Sequence, residues 1–420
     1  MQYFLDRVVI GIVAAVTLTA CTIGTSSTPR SVGSSATPAR RSTTNAATPT
    51  TVLLHGVGPY SSWRLVPRPD QGELPGHPDV VTDISGVSCP SARFCEAVGN
   101  TSQGKTLIEA WNGRSWSVVT SPSTDGSTHD DLTGVSCSTT RWCVAAGYFH
   151  AGLSVKTLVE SWNGRSWSIM HSASLTDDPT RTSYLAGVSC VSAHWCMAVG
   201  ADMAGKSALS EVWNGRTWSI VPLPDEGTFA NELNSISCIS PLYCLAVGDH
   251  ENVPFTQRPM RTMVEAWNGQ SWTIVPSPSE GTIESTLEAV SCISPRTCIA
   301  TGYFVNSSRA ETRKTLAEAW NGTYWSVTPT PDVGAADNIL SGVSCISPHL
   351  CIAVGFRSAS SSKQQILVQE WNGSLWSTLL SSNEQADGGL LNSVSCPSRE
   401  FCVAMDADGP TVMGAVSPRT

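Results

Sequence analysis

The stretch that decides the fold is EAWNGRSWSVV, Glu109–Val119, because related copies of it follow five times along the chain. Every copy has a Trp-Asn-Gly turn and a second tryptophan three residues after the glycine. Asn-Gly is the strongest short signal for a β-hairpin, since both residues tolerate the positive φ of a tight turn. The repeated stretch therefore predicts two strands joined by a hairpin, with a tryptophan on each. The other copies begin at Glu160, Glu211, Glu265, Glu318 and Gln369.

The cysteines repeat with the same period. Of 15 cysteines, all but Cys21 form pairs with the spacing C-x5-C, and the pairs recur every 48 to 54 residues. Zinc sites favour two to four intervening residues, and pairs in separate repeats would not converge, so we predict local disulfides. Each closes a short loop and contributes about 2 kcal/mol. The predicted pairs are Cys89 with Cys95, Cys137 with Cys143, Cys190 with Cys196, Cys238 with Cys244, Cys292 with Cys298, Cys345 with Cys351, and Cys396 with Cys402.

A period near fifty residues, with four short strands in each unit, is typical of a β-propeller. There are seven cysteine pairs but six Trp-Asn-Gly turns, and Ser62–Pro67 matches a fourth strand. The predicted fold is all-β: a seven-bladed β-propeller of four-stranded blades over residues 51–420, its ring closed by an N-terminal outer strand that pairs with the C-terminal blade. Either Thr411–Val416 or Thr51–His55 could supply the third strand of that blade. The repeated glutamates and the serine before the first cysteine of each pair are expected to build the blades.

These motifs (GVSC, AVG and WNG-x-SW) resemble those of uncharacterised bacterial β-propeller lipoproteins of the actinobacterial type. A more distant resemblance is to kelch and Asp-box (BNR) propellers. The Asp-box likeness rests on Gly-x-[Ser/Thr]-Trp, as in Gly113–Trp116, because a tryptophan stands where that signature has its aspartate.

The N-terminus indicates export. Residues 1–20 combine Arg7 with an apolar run from Val8 to Val16 that is too short to span a bilayer, which predicts a signal peptide. The run ends in Leu-Thr-Ala-Cys21, which resembles a bacterial lipobox; the alternative is an ordinary signal peptide with an incidental cysteine. The resemblance implies that Cys21 is lipidated and that residues 21–50, a Ser/Thr/Pro-rich segment, form a tether. We therefore predict an extracytoplasmic protein anchored to the bacterial cell membrane by a lipid.

The charge balance narrows the partner class. Residues 51–420 carry 21 Lys and Arg against 33 Asp and Glu. No basic cluster stands out along the sequence, so we predict no nucleic-acid partner. The propeller is expected to be monomeric, with an envelope polysaccharide or a surface protein as its partner.

Candidate site residues lie in the loops that vary between repeats. In a propeller, the turns between strands one and two and between strands three and four share one face, and the remaining loops share the other. The loops between strands two and three differ in length and contain aromatic and arginine residues, which are common anchors of binding surfaces. The alternative is that they are solvated loop residues with aromatics packed against the blade edges. The predicted ligand-binding residues are Tyr148, Phe149, His150, Asp249, His250, Glu251, Tyr303, Phe304, Arg309, Arg313, Phe356 and Arg357.

The sequence favours binding over catalysis. It has no G-x-S-x-G or H-E-x-x-H motif, so no catalytic residue is predicted, and the expected function is a non-enzymatic binding or scaffold module. The loops from strand four to strand one are acidic, but they lack a recognisable calcium spacing; a solvated acidic rim is preferred over a calcium site, and no cofactor is predicted. The alternatives are a glycoside hydrolase or lyase acting on cell-envelope polysaccharide, with Asp249, Glu251 and Glu311 as candidate carboxylates, and a purely structural envelope protein.

Overall fold

The fold lies within one compact unit, Thr51–Thr420. A computed structural model describes residues 53–55, 61–68, 73–74, 77–124, 126–173, 182–203, 206–252, 260–306, 312–360, 363–380, 389–407 and 411–416. The predicted signal peptide, Cys21 and the tether lie outside these residues. Within the described part of the chain, no helix is long and apolar enough to cross a bilayer.

Six blades each contain four consecutive antiparallel strands, numbered one to four from the first strand of the blade. In the first blade, the short β3 (Glu73–Leu74) pairs with the start of the first strand. The six blades comprise β4 (His77–Ser91), β5 (Phe94–Thr101), β6 (Thr106–Trp111) and β7 (Trp116–Val119); β8 (Asp130–Thr139), β9 (Trp142–Ala151), β10 (Ser154–Trp162) and β11 (Trp167–Met170); β12 (Ser183–Ser192), β13 (Trp195–Asp202), β14 (Ser207–Trp213) and β15 (Trp218–Ile220); β16 (Ala230–Ser240), β17 (Tyr243–Glu251), β18 (Met260–Trp267) and β19 (Trp272–Ile274); β20 (Glu284–Ser294), β21 (Thr297–Val305), β22 (Lys314–Trp320) and β23 (Trp325–Val327); and β24 (Asn338–Ser347), β25 (Leu350–Ser360), β26 (Lys363–Trp371) and β27 (Trp376–Leu380).

The prediction of seven four-stranded blades is wrong. Six such blades are present among the described residues, and the seventh sheet has only two strands there that follow the blade pattern, β28 (Leu391–Ser398) and β29 (Phe401–Asp406). The physical reason is that the last repeat lacks the Trp-Asn-Gly turn, so it has no hairpin of third and fourth strands of its own. Strands from both termini extend this sheet instead, in the order β28, β29, β30 (Thr411–Val416), β2 (Ser61–Val66) and β1 (Leu53–His55).

This closing sheet joins the two ends of the unit. β2 pairs antiparallel with β30, with Trp63 opposite Gly414. Both segments that the sequence offered as its third strand are therefore present: Thr411–Val416 lies next to β29, and β1 lies at the outer edge. The Trp63 side chain is fully buried, in a cluster that includes Ile352 and Val354 of the sixth blade.

The Trp-Asn-Gly stretch is a structural unit of the blade. The Asn112 side-chain oxygen accepts the backbone N–H groups of Arg114 and Ser115, and Gly113 has φ 91°. The Trp111 indole donates to the carbonyl oxygen of Ala92 at 3.2 Å, which ties the hairpin to the turn between strands one and two. The second tryptophan of each hairpin, Trp116 in this blade, is buried. The local disulfides predicted for the C-x5-C pairs are all present beside these turns.

The repeated glutamate of the third strand connects successive blades. Ser121, which follows strand four of the first blade, donates to Glu160 of the second at 3.0 Å. The same contact joins Ser277 to Glu318 at 2.6 Å. At the ring closure an arginine occupies the serine position: Arg68, two residues after β2, lies with its Nε 3.8 Å from Glu109 Oε2, and both side chains are buried.

The serine before each first cysteine also connects neighbours. Its hydroxyl accepts a hydrogen bond from the backbone N–H of the first cysteine in the following blade, at 2.9 to 3.0 Å. The last of these hydrogen bonds runs from the Cys89 backbone N–H to Ser395 Oγ and joins the first blade to the closing sheet. A central channel of about 210 Å³ runs inside the seven first strands. These repeated residues therefore hold the ring together, which leaves the non-repeated ones as candidates for function.

Candidate ligand-binding site at the channel mouth

A β-bulge shapes each first strand where it reaches the channel. In β8 the pairing with β9 shifts between Leu132 and Gly134, so Thr133 is the extra residue and lines the channel. The other first strands have the same irregularity. A bulge redirects the local side chains. The bulge residues are Ser85, Thr133, Ala186, Asn234, Glu288, Ser341 and Asn392.

The mouth ring is the set of residues two positions before these bulges, on the face that carries the loops between strands two and three and between strands four and one. We call this face the variable face. Residues two apart on a strand point to the same side. The ring has an acidic half and an apolar half, which meet at Thr286. Its members are Asp83, Asp131, Tyr184, Glu232, Thr286, Ile339 and Leu390.

Tyrosine hydroxyls hold the carboxylates of the acidic half. Tyr148, directly opposite Asp131 in the sheet, donates to Asp131 Oδ2 at 3.2 Å. Burial raises the pKa of Asp131, although hydrogen bonds from Asn100 and Tyr148 and the charge of His129 act in the other direction. Burial and the nearby Asp131 carboxylate raise the pKa of Tyr148, so its hydroxyl stays protonated and remains a donor.

Two acids lie directly opposite each other in the fourth blade. Glu232 of β16 pairs with Asp249 of β17. Tyr184 donates a hydrogen bond to Glu232, and Thr286 donates to Asp249 at 2.7 Å. Like charges directly opposite in a sheet destabilise it, and a hydrogen bond from a neutral hydroxyl leaves the charge of its carboxylate in place. The arrangement therefore favours a positive group placed between these carboxylates.

An aromatic cluster borders the acidic half. The ring centroids of Tyr148 and Tyr184 are 6.4 Å apart, and those of His129 and His150 are 5.5 Å apart. Burial and the neighbouring His129 lower the pKa of His150. Tyrosine faces attract cations through the ring quadrupole. The cluster thus adds a second feature that suits a cationic ligand.

The opposite side of the mouth is apolar. Ile339 and Leu390 pack with Tyr303, Val305 and Phe356 in one buried cluster. The Tyr303 hydroxyl donates to Glu284 Oε1 at 2.7 Å. The Arg313 guanidinium lies 5.3 Å from the centre of the Tyr303 ring and 3.6 Å from Asp337, so its charge is already balanced within the protein.

The structure separates the predicted site residues into several groups. Tyr148, Asp249, Tyr303 and Phe356 occupy equivalent positions on the second strands, each opposite a mouth-ring residue. Phe149 and Phe304 pack against the hydrophobic clusters between blades.

The remaining predicted residues lie farther along the variable face. His150 belongs to the aromatic cluster, and His250 and Glu251 are buried at the end of β17. Arg313 stacks on Tyr303, and Arg357 is partly exposed in β25. Arg309 lies outside the described residues.

The carboxylates proposed from sequence for hydrolysis do not all meet at the mouth. Asp249 is there, held by Thr286, whereas Glu251 lies two residues farther along β17. Glu311 lies outside the described residues. Besides Asp131 at the mouth, whose pKa is also raised, four interior glutamates have a pKa raised to about 8, with burial as the largest cause. These are Glu96, Glu160, Glu265 and Glu318.

Several acids of the variable loops have structural partners. Asp130 accepts hydrogen bonds from the backbone and hydroxyl of Thr124 at 2.7 Å, and Asp332 accepts the backbone N–H of Thr315 at 3.0 Å. No three His, Cys, Asp or Glu side chains in the described ranges are grouped so that they could hold a metal ion. These acids are used to fix the loops that border the mouth.

Sequence reasoning did not select Asp83, Tyr184 or Glu232 as site residues. They are not in the longer loops between strands two and three but in the first strands, which look alike in every repeat. A signal was present: the residue two positions before each bulge is not repeated like its neighbours, being Asp in the first two copies and a different residue in each of the other five. A non-repeated position inside a repeated strand marks the mouth.

Comparisons with known proteins identify the fold. No protein-family model and no curated protein sequence matches the chain. Among solved structures, YCF48 from Cyanidioschyzon merolae superposes with a TM-score of 0.50 at 12% identity, over 84% of this chain and 98% of that one. YCF48 bound to D1 peptide gives 0.50 and 12%, over 84% and 96%. The GH74 xyloglucanase from Xanthomonas campestris gives 0.51 and 12%, over 85% of this chain and 54% of that one. These likenesses show a β-propeller.

Proposed function

We propose that the protein is a non-enzymatic binding propeller, held outside the cytoplasm by a lipid on Cys21, and that its site is the acidic half of the mouth ring. Its ligand carries a cationic amine or guanidinium group on an envelope polysaccharide or a surface protein. The observation that carries this proposal is the pair of carboxylates Glu232 and Asp249, directly opposite each other beside Tyr184.

The physical argument concerns the two carboxylates that lie opposite each other in this half of the mouth. A cation between Glu232 and Asp249 would replace a repulsive pair by two attractive contacts. The raised pKa of Asp131 indicates that burial outweighs the charge its neighbours supply, so a cation there would also favour its ionised form. The nearby rings of Tyr148 and Tyr184 add a cation–π contribution. An anionic ligand would instead be repelled by the carboxylates of this half of the mouth.

Export and anchoring are supported by the sequence. The lipobox-like Leu-Thr-Ala-Cys21 and the resemblance to bacterial propeller lipoproteins both favour lipidation. Labelling of the expressed protein with a radioactive fatty acid tests this part of the proposal. Incorporation that disappears in Cys21→Ala is expected; equal incorporation in both would contradict it.

The binding site can be tested with a matched pair of saccharides. Residues 51–420, which contain every described strand, are titrated with a glucosamine hexasaccharide and with its fully N-acetylated counterpart. We expect binding of the amine form alone, weakened by salt and without release of shorter saccharides. Equal binding of the two forms would contradict cation recognition, and release of products would favour a hydrolase.

Two variants locate the site. Glu232→Gln with Asp249→Asn removes both charges and should reduce amine binding at least tenfold, since a charged hydrogen bond contributes about 1.5 to 3 kcal/mol. Glu280→Gln is the control, because Glu280 is an exposed acid of a variable-face loop outside the mouth ring. Equal losses in the two variants would indicate general electrostatic attraction rather than a site at the mouth.

A further inference from the structure

The opposite face carries a set of exposed arginines that the sequence disperses. We call this face the regular face; it consists of the turns between strands one and two and the Asn-Gly hairpins between strands three and four. Seven arginines occupy its turns, and each is exposed. Because the copies are about fifty residues apart, no basic cluster is visible along the chain. The seven are Arg93, Arg114, Arg141, Arg165, Arg216, Arg296 and Arg399.

Five of the seven come in the first three blades. In the first blade, Arg93 follows the disulfide turn and Arg114 follows the Asn-Gly pair. The two turns touch: a Cβ added to Gly113 would lie 3.4 Å from the Arg93 side chain. The second blade repeats this arrangement with Arg141 and Arg165, and the third has His194 with Arg216. Each of these three blades thus presents two side chains of basic residue types from adjacent turns.

These turns are held firmly, so the arginines are displayed from a rigid base. The Arg93 backbone N–H donates to Ser91 Oγ, and the Arg114 backbone N–H donates to Asn112 Oδ1 at 2.9 Å. The Cys89–Cys95 disulfide lies at the base of the first turn. Only side-chain freedom is lost when such arginines meet a partner, which favours binding.

Acidic residues are nearly absent from the regular face. Among the described residues of these turns the one carboxylate is Glu400, next to Arg399. The acids lie inside the blades and on the variable face. The protein as a whole has a net negative charge, but the charged side chains of these turns are almost all arginines.

The same face has an exposed apolar part in blades four to six. Leu242, Tyr324 and Leu375 are 69%, 60% and 55% exposed. Each occupies the tip of a turn: Leu242 follows the first strand, and the other two follow Asn-Gly. A soluble phosphate polymer would gain little from apolar tips. A lipid surface suits both features, because arginines meet anionic headgroups while tyrosine and leucine enter the interface.

We propose that the regular face is a membrane-docking surface that binds anionic phospholipid headgroups through Arg93, Arg114, Arg141, Arg165 and Arg216, with Leu242, Tyr324 and Leu375 entering the interfacial layer. This goes beyond the binding function of the mouth ring and does not depend on it. Docking in this orientation leaves the mouth ring open to the solvent on the far side of the propeller.

The test is co-sedimentation of residues 51–420, which lack Cys21, with vesicles of equal parts phosphatidylcholine and phosphatidylglycerol and with pure phosphatidylcholine. We expect binding to the anionic vesicles alone, lost at about 1 M salt, where the Debye length is about 3 Å. Each basic residue near an anionic bilayer contributes about fivefold in affinity. Arg114→Gln, Arg165→Gln and Arg216→Gln together should therefore weaken binding roughly 100-fold.

The control variant carries Lys105→Gln, Lys156→Gln and Lys314→Gln. It changes the net charge equally but at a repeated position of the variable face, and its vesicle binding should stay close to wild type. A second variant, Tyr324→Ser with Leu375→Ser, should weaken vesicle binding and leave binding to soluble polyphosphate unchanged. Equal binding by the arginine triple and the wild type would overturn the proposal. Binding of the wild type to polyphosphate but not to anionic vesicles would also overturn it.

Discussion

Replacing Glu265 by glutamine should stabilise the protein. In the second, third and fifth blades the equivalent glutamate accepts a hydrogen bond from a serine of the preceding blade, as Glu160 does from Ser121. Leu223 occupies that serine position before Glu265. Both carboxyl oxygens of Glu265 are buried without a hydrogen-bond partner in the described part of the chain. Burial, with the charges of Asp225 and Glu226, raises its pKa to about 8.

The magnitude follows from proton linkage. Because the native pKa is above the ordinary value of 4.5, the native state binds this proton more tightly than the unfolded state. Stability is therefore highest below the ordinary pKa and falls as the pH rises towards about 8. At pH 7 the loss is about 3 kcal/mol, at 1.36 kcal/mol for each pH unit above 4.5. A glutamine cannot lose a proton in this way, so it avoids this loss of stability. The sixth blade has a glutamine at the equivalent position: Gln369 donates a hydrogen bond to the carbonyl oxygen of Pro331 at 2.7 Å.

The assay is thermal and denaturant unfolding of residues 51–420, measured at pH 7 and at pH 4.5, the ordinary pKa of glutamate. An unfolding entropy of about 2.1 cal/mol/K per residue over about 370 residues converts 3 kcal/mol into a Tm increase of roughly 4 °C. The increase should nearly vanish in the acidic sample. A pH-independent increase, or no increase, would refute the reasoning.

Glu109→Gln is the matched control. It is the same substitution at the same repeat position, but Glu109 lies beside the buried Arg68. Removal of one partner of a buried ion pair costs about 3 kcal/mol or more, so this variant should lose stability where Glu265→Gln gains it.

Two further predictions concern the ring and the blades. Trp63→Ala should lower the free energy of unfolding by about 3 to 5 kcal/mol, because the fully buried Trp63 joins the closing sheet to the sixth blade; an unchanged Tm would contradict that role. Gly248→Ala should cost about 3 kcal/mol, since its Cβ would lie 2.0 Å from the Glu232 carbonyl oxygen. Gly152→Ala, at φ 67° with no neighbour within 4 Å, is its control and should cost about 1 kcal/mol; equal losses would show that strand contact is not the cause.

Local features of the fold could be predicted from the sequence because they depend on short-range chemistry. Asn-Gly predicts its own hairpin, C-x5-C predicts its own disulfide, and SWRLV around Trp63 matches a fourth strand by its residues alone. Which strands form the last sheet could not be derived from short-range chemistry in the same way. β30 has no Trp-Asn-Gly signature, so the sequence could not decide between Thr411–Val416 and Thr51–His55 as the third strand, and the prediction of a seventh four-stranded blade is wrong.

The site was less predictable for a geometric reason. Tyr148, Asp249, Tyr303 and Phe356 stand out as non-repeated residues, and they do lie opposite the mouth ring. Their neighbours come from other blades: Asp83 and Glu232 are about 150 residues apart in sequence. The arginines of the regular face are equally dispersed. Circular packing of the blades brings such residues to one surface. In the sequence, the only sign of this packing is the regular spacing of the copies; the residue types themselves do not indicate it.

The closing sheet has a consequence for synthesis. Arg68 donates to the Asp406 carbonyl oxygen, a partner 338 residues later in the chain. A growing chain presents its N-terminal strands first, so the edge of β2 that pairs with β30 must wait without a partner until almost the whole chain has been made. Waiting strands have free edges that promote aggregation. Premature termination near the C-terminus would thus leave that edge of β2 exposed, and such products should be insoluble even with all six regular blades complete.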